Sequence, residues 1–140
     1  MKVLLLAGTL LFPLHAAPAP PEPPTGREVL STWDAERSAA WATGDVRRLR
    51  DLYTSDSVAG ARDVAMLRRW LDRGLVVTGL RMQVLSLEET ARSPDRLVLD
   101  VVDRVVGATA GGTALPQDRP TEHTVVLRLV DGEWRVSAVR

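Results

Sequence analysis

Residues 38 to 53 read Ser-Ala-Ala-Trp-Ala-Thr-Gly-Asp-Val-Arg-Arg-Leu-Arg-Asp-Leu-Tyr. This is the pattern of one helix stopping and another starting. Gly44 suits the left-handed position that ends a helix. Asp45 offers a carboxylate to the first free N–H groups of the next. The first helix is predicted from about Arg27 to Thr43, with Val29, Trp33, Ala40 and Trp41 recurring near helical spacing and Glu36 and Arg37 at polar positions. The second buries Val46, Leu49, Leu52 and Tyr53 and turns Arg47, Arg48, Arg50 and Asp51 to water. Residues 54 to 60 read as a connector. A third helix follows, with Asp63 as its N-cap, Gly74 as its stop, and Val64, Leu67, Trp70 and Leu71 as its stripe.

Beyond that point the period changes from helical to two. Leu80, Met82 and Val84 alternate with Arg81 and Gln83. Ser93-Pro94-Asp95 is a turn. Leu97 to Val106 has the valine and leucine of a well-buried strand. Gly107 to Pro120 reads as a long loop, Thr121 to Val130 as a strand, Asp131-Gly132 as a tight hairpin turn, and Trp134 to Val139 as the last strand. Three helices followed by four antiparallel strands make an α+β domain. A chain of 140 residues with 45% hydrophobic content is enough for one such domain and one modest core.

The first residues read differently. Lys2, the only lysine, precedes an apolar run from Val3 to Leu14, and His15-Ala16-Ala17 offers small residues for cleavage. The run is short of the ~20 residues that cross a bilayer, so a signal peptide over 1–16 is the preferred reading and a retained anchor the alternative. The proline run Ala17 to Pro24 cannot be helical, and 17–26 reads as a linker. Residues 27–140 form the domain. The expected location is secreted or extracytoplasmic, in the cell envelope.

Composition removes several functions. The chain has no cysteine, which excludes disulfides, thiolate metal sites and cysteine nucleophiles. Two histidines, one of them in the leader, argue against a metal centre. No cofactor motif is present; the glycines at 107–112 lack the Lys-Ser/Thr of a phosphate loop. Lys and Arg balance Asp and Glu at 18 each, and this zero net charge argues against nucleic acid.

The last hairpin assigns the faces of the sheet. A two-residue turn at Asp131-Gly132 sets Val130 opposite Glu133, Leu129 opposite Trp134, Leu127 opposite Val136 and Val125 opposite Ala138. One face then carries His123, Val125, Leu127, Leu129, Trp134, Val136 and Ala138, and should meet the helices. The other carries Thr124, Val126, Arg128, Arg135 and Ser137. Arg128 faces Arg135 directly, so this surface should be solvated, or should meet an acid such as Asp100 or an acidic partner. On the preceding strand, Asp103 shares the apolar side with Leu99, Val101 and Val105. A carboxylate there must be paired or functional; pairing with an arginine is the expectation.

The segment Trp41-Ala-Thr-Gly-Asp-Val with Leu49 and Leu52-Tyr53, together with the closing Asp-Gly-Glu-Trp-Arg-Val136, resembles the NTF2-like (SnoaL-like) superfamily. The resemblance covers about Arg27 to Arg140. It implies three N-terminal helices packed on a curved four-stranded antiparallel sheet, a cone with a pocket at its open end. Trp33, Trp41, Leu127 and Trp134 would be the residues lining that pocket, although the tryptophans also fit plain core positions. Steroid isomerases of the superfamily place an oxyanion-donating tyrosine about two turns before the Gly-Asp and a general-base aspartate after the second helix. Arg37 stands at the first place, and Asp56 is the one acid near the second. That catalytic pair is missing. Polyketide cyclases of the group rely on an Asp or His in the pocket, for which Asp103 and His123 are the candidates.

Three functions follow as expectations. The leading one is an exported, non-catalytic domain that binds a small apolar ligand or associates through its sheet, as a homodimer or with an envelope protein, with Arg128 and Arg135 in the interface. The alternative is a cyclase, isomerase or dehydratase acting on a small hydrophobic substrate. The third is an accessory domain of an envelope complex, held at the membrane if the leader is retained.

Overall fold

The computed structural model describes residues 18–140. The leader expected over 1–16 lies outside the described residues. Residues 18–25 are exposed and free of regular structure. Arg92 reaches back to them and donates to the Pro24 carbonyl at 3.0 Å.

Helix α1 spans Gly26–Thr43 and opens with a capping box. The Thr25 hydroxyl accepts from the Glu28 N–H, and the Glu28 carboxylate accepts from the Thr25 N–H. Two of the free N–H groups at the helix start are thereby satisfied. Gly44 ends the helix in the left-handed region, φ 66°, as the sequence predicts. A side chain there would also meet Leu71, so both backbone and space require glycine. Helix α2, Val46–Asp51, starts from Asp45, whose carboxylate accepts from the Arg48 N–H.

Helix α3 spans Val58–Asp72, beginning five residues before the expected Asp63. Its N-cap is Ser57, whose hydroxyl accepts from the Gly60 N–H at 3.2 Å. Asp63 therefore sits inside the helix, free to make contacts across the fold. Gly60 lets α3 close on the end of α2. A methyl group there would lie 2.5 Å from the Tyr53 ring.

The strands are β1 Val77–Ser93, β2 Arg96–Ala110, β3 Thr113–Ala114, β4 Thr121–Val130 and β5 Glu133–Val139. All pairings between them are antiparallel, in the order β1-β2-β4-β5, with β3 on β2. The expected long loop from Gly107 is shorter than predicted. Strand β2 runs on to Ala110, Gly111 and Gly112 turn with positive φ, and β3 folds back. Strand β1 carries four register irregularities against β2. Each adds local twist and bend, and together they curl the sheet around α1.

The closing hairpin has the predicted turn, with Asp131 at φ 51° and Gly132 at φ 79°. Its register holds through Leu127–Val136 and then changes: Val126 pairs with Ala138 and Val125 with Val139. Ser137 is the extra residue of a bulge, and its hydroxyl donates to the Val126 carbonyl. Ala138 is thus opposite Val126 and not opposite Val125 as expected.

The core lies between the helices and the inner sheet face. Leu49, Leu67, Leu97, Leu99, Val101, Leu127 and Val136 are fully buried there. The helical layer is also stitched to β5 through the backbone. Thr54 N–H donates to the Val136 carbonyl at 3.1 Å, and Val136 N–H donates to the Leu52 carbonyl at 3.0 Å.

Candidate functional site

A cavity of about 670 Å³ opens between α1, the start of α3 and the inner faces of β2, β4 and β5. Trp33, Asp34 and Arg37 reach it from α1, Asp103 and Val105 from β2, and His123 and Val125 from β4. A second cavity, about 580 Å³, lies between α1 and β1. The two share Leu30, Asp34 and Met82 as a common wall.

Arg37 anchors the helical wall. Its Nε and Nη2 donate to the two oxygens of Asp63, each at 2.7 Å. The Tyr53 hydroxyl donates to the same carboxylate at 2.7 Å. Burial works against the Arg37 charge, but the hydrogen bonds and charge of Asp63 outweigh it and hold the guanidinium more firmly protonated than usual. Burial, then the Asp63 charge, pushes the Tyr53 phenol up, so it stays a donor. Arg37 was expected at a polar position; instead its side chain is 21% exposed and lies over the Trp41 ring. The Asp63 it binds was expected to be a cap.

Trp33 is fixed in the same wall. Its indole N–H donates to the Leu52 carbonyl at 2.8 Å, and its ring stands edge-on to Tyr53. Of the four residues expected to line a pocket, Trp33 is the one this cavity exposes. Trp41 and Leu127 are buried in the core, and Trp134 packs against it; none of the three faces the cavity. Their apolar spacing reported burial, which a core and a pocket wall share.

Asp103 and His123 come together on the sheet side. His123 Nε2 lies 3.4 Å from Asp103 Oδ2. The strand register sets this contact, because Asp103 pairs with Thr121 and Val101 with His123 in neighbouring positions of β2 and β4. Asp103 was expected to pair with an arginine; its nearest basic partner is the histidine, and Arg37 is taken by Asp63. Burial raises the Asp103 pKa, opposed by His123 and Arg37.

Asp34 is the residue that the sequence reading missed. Burial pushes its carboxyl up to about 6; Arg37 opposes this, and the charge of Asp103 adds to it. The signal was present. Leu30, Asp34, Arg37 and Trp41 are spaced by four, three and four residues, the inward stripe of a helix. An acid on such a stripe marks a polar interior.

Among the described residues no group of three or more His, Cys, Asp or Glu is placed to hold a metal ion. With Arg37, Asp63 and Tyr53 bound to one another, the chemistry on offer in the interior is that of Asp34, Asp103 and His123; Asp56, Arg62 and Arg140 add exposed charges to the lining.

This architecture is widely shared. The chain matches an NTF2-like protein from Cytophaga hutchinsonii over 82% of its length and 95% of that chain, at 18% identity and TM-score 0.56. The fold is NTF2-like. A putative calcium/calmodulin-dependent kinase II association domain from Xanthomonas campestris shares the NTF2-like cone at 22% identity and TM-score 0.55, over 90% of each chain. A putative aromatic ring hydroxylase from Novosphingobium aromaticivorans does so at 10% identity and TM-score 0.56, over 81% of this chain and 85% of that one. No protein-family model and no curated protein matches the sequence. Proteins described in such different terms on one NTF2-like scaffold leave function to the side chains.

The outer face of the sheet carries the expected arginine pair. Arg128 lies opposite Arg135 on β5, and on its other side opposite Arg96 on β2. The Asp100 carboxylate accepts from the Thr124 hydroxyl and does not meet these arginines in a salt bridge. Arg135 approaches Glu133 at 3.7 Å, while its Nε is buried without a partner among the described residues.

Proposed function

We propose that the NTF2-like cone binds a small, mainly apolar molecule carrying one polar group. The observation that supports this reading is the 670 Å³ cavity, which combines apolar surface from Trp33, Met66, Met82, Val105 and Val125 with Asp34, Asp103 and His123. A chamber of this size that sets apolar surface beside convergent polar groups suits a small organic ligand. The test is a fragment screen followed by amide and indole NMR shifts. Shifts centred on Trp33 and His123, and lost in Met82→Trp, support the reading. Shifts scattered over the surface, or unchanged in that variant, refute it.

A second reading adds proton transfer, and the Asp103–His123 contact favours it. A carboxylate and an imidazole at 3.4 Å can move a proton to and from a substrate carbon or oxygen, as an isomerase, cyclase or dehydratase requires. Incubating the protein with cyclohexanone in deuterated water measures this: enhanced deuterium uptake at the carbon beside the carbonyl, lost in Asp103→Asn, is the expected result. Uptake at the rate of the protein-free solution removes the catalytic reading and leaves the binding one.

We also propose that the leader exports the chain, and that the arginine-bearing sheet face associates with a second copy or an acidic envelope protein. An N-terminus near Ala17 in the native protein would support cleavage. A monomer at all concentrations in gel filtration would count against self-association.

A further inference from the structure

The chemical class of the ligand follows from how the charges in the cone are matched, on the reading that the cone is a small-molecule site. Arg37 is bound through two hydrogen bonds to Asp63, and Tyr53 completes that carboxylate. Asp34 has no ion-pair partner among the described residues. Asp103, its side chain nine-tenths buried, has the His123 imidazole at 3.4 Å and no arginine in salt-bridge contact there. The two acids line the same cavity and repel each other. A buried carboxylate such as Asp103, with the half-buried Asp34 beside it, is stabilised by a cation that brings its own hydrogen-bond donors.

The surroundings decide which cation. An inorganic ion needs several oxygen or nitrogen ligands, and no such group exists among the described residues. The walls beside the acids are apolar: Trp33, Met66, Val105 and Val125. The bond from the Trp33 indole to Leu52 fixes the ring in the wall, and an indole ring attracts a cation held over its face. Of the arginines that line the cavity, Arg37 is already bound to Asp63, and Arg62 and Arg140 are exposed to solvent, where an anion would gain least.

We propose that the cone takes a small organic ammonium, whose N–H groups donate to Asp34 and Asp103 while its hydrocarbon part packs on Trp33, Met66, Val105 and Val125. Asp34 is the specificity-determining residue. It stands on the wall shared by the two cavities, so the charged head is read where they meet.

Benzylammonium, benzyl alcohol and benzoate, three probes of one shape and three charges, test the assignment. Each is titrated into the full chain at neutral pH, with the Trp33 indole N–H followed by NMR. Benzylammonium should bind about tenfold or more tightly than benzyl alcohol, and benzoate more weakly than either. Asp34→Asn should bring benzylammonium down to the level of the alcohol. If that variant does not fold, Asp34→Ser replaces it; if neither folds, the ranking of the three probes on the wild type decides alone. Equal or tighter binding of benzyl alcohol or benzoate overturns the proposal while the cone remains a binding site. So does a preference for the ammonium that survives loss of the Asp34 charge. No response at Trp33 to any of the three overturns the binding reading and this proposal together.

Discussion

The Tyr53 hydroxyl donates to Asp63 at 2.7 Å, and that single carboxylate also neutralises the half-buried Arg37. Three elements of the chain, α1, the end of α2 and α3, are therefore joined at one acid. Asp63→Ala would leave a guanidinium with 21% exposure and no counter-charge. The expected loss is about 3–5 kcal/mol in urea unfolding, because an unpaired buried charge costs more than its pair contributes. Tyr53→Phe removes one donor and should cost about 1 kcal/mol. A loss from Asp63→Ala no larger than that from Tyr53→Phe would show that Arg37 finds water instead.

Asp34 gives the fold a pH dependence of a definite sign. Its folded pKa of about 6 lies above the ordinary aspartate value of 3.8. The unfolded chain therefore releases this proton first as pH rises, and stability falls between about pH 4 and pH 6 and then levels off. Burial of Asp103 acts in the same direction. Asp34→Asn should be more stable than the wild type at about pH 7, by about 1–3 kcal/mol, with little gain at about pH 4. Chemical denaturation at the two pH values measures it, and an equal gain at both would show that the carboxylate is not held above its usual range.

Gly60→Ala sets helix propensity against packing. The residue lies in the first turn of α3, where alanine would ordinarily gain about 1 kcal/mol. The new methyl would lie 2.5 Å from the Tyr53 ring and 2.6 Å from its Cβ. Overpacking of this kind costs about 1–3 kcal/mol, so steric conflict wins and the variant should melt lower. The Tyr53–Asp63 bond should lengthen with it. An unchanged or raised melting temperature would mean that α3 shifts at little cost.

Arg128 lies between Arg96 and Arg135 in three adjacent strands. Arg128→Glu replaces repulsion with attraction on both sides. It should stabilise the domain by about 0.5–1 kcal/mol at low salt, less as salt is added. Denaturation at two ionic strengths measures this. A loss of stability at low salt would show that the arginines are already balanced by an acid.

Local chemistry made the scaffold legible. Gly44 and Asp45 announced a helix junction, and Asp131-Gly132 announced a hairpin whose first four pairs follow from the turn. Asp103 and His123 could be assigned to the inner face because a period of two needs only one fixed point. Legibility ended where the determinant was not local. The bulge at Ser137 changes the register without a glycine or proline to mark it. Ser57 and Asp63 both qualify as caps by residue type, and the difference between them is the closeness of Tyr53 to Gly60, a tertiary fact. Trp41, Leu127 and Trp134 show that hydrophobicity locates the interior but does not divide core from chamber. Asp34 could have been read from its place on the apolar stripe of α1.

The backbone bonds from residues 52–54 to Val136 have a consequence for the life of the chain in a crowded compartment. Strand β5 is one margin of the sheet, and an open margin invites strand addition from a neighbouring molecule. Leu52 and Thr54 use the Val136 N–H and carbonyl that such a strand would need. The opposite margin, β1, is bent by its register irregularities and has its Leu80 carbonyl occupied by the Ser38 hydroxyl. At Val136 and at Leu80, then, the two borders of the sheet are partly closed to a neighbouring strand. The same contacts that close the cone make its sheet a poorer template for aggregation.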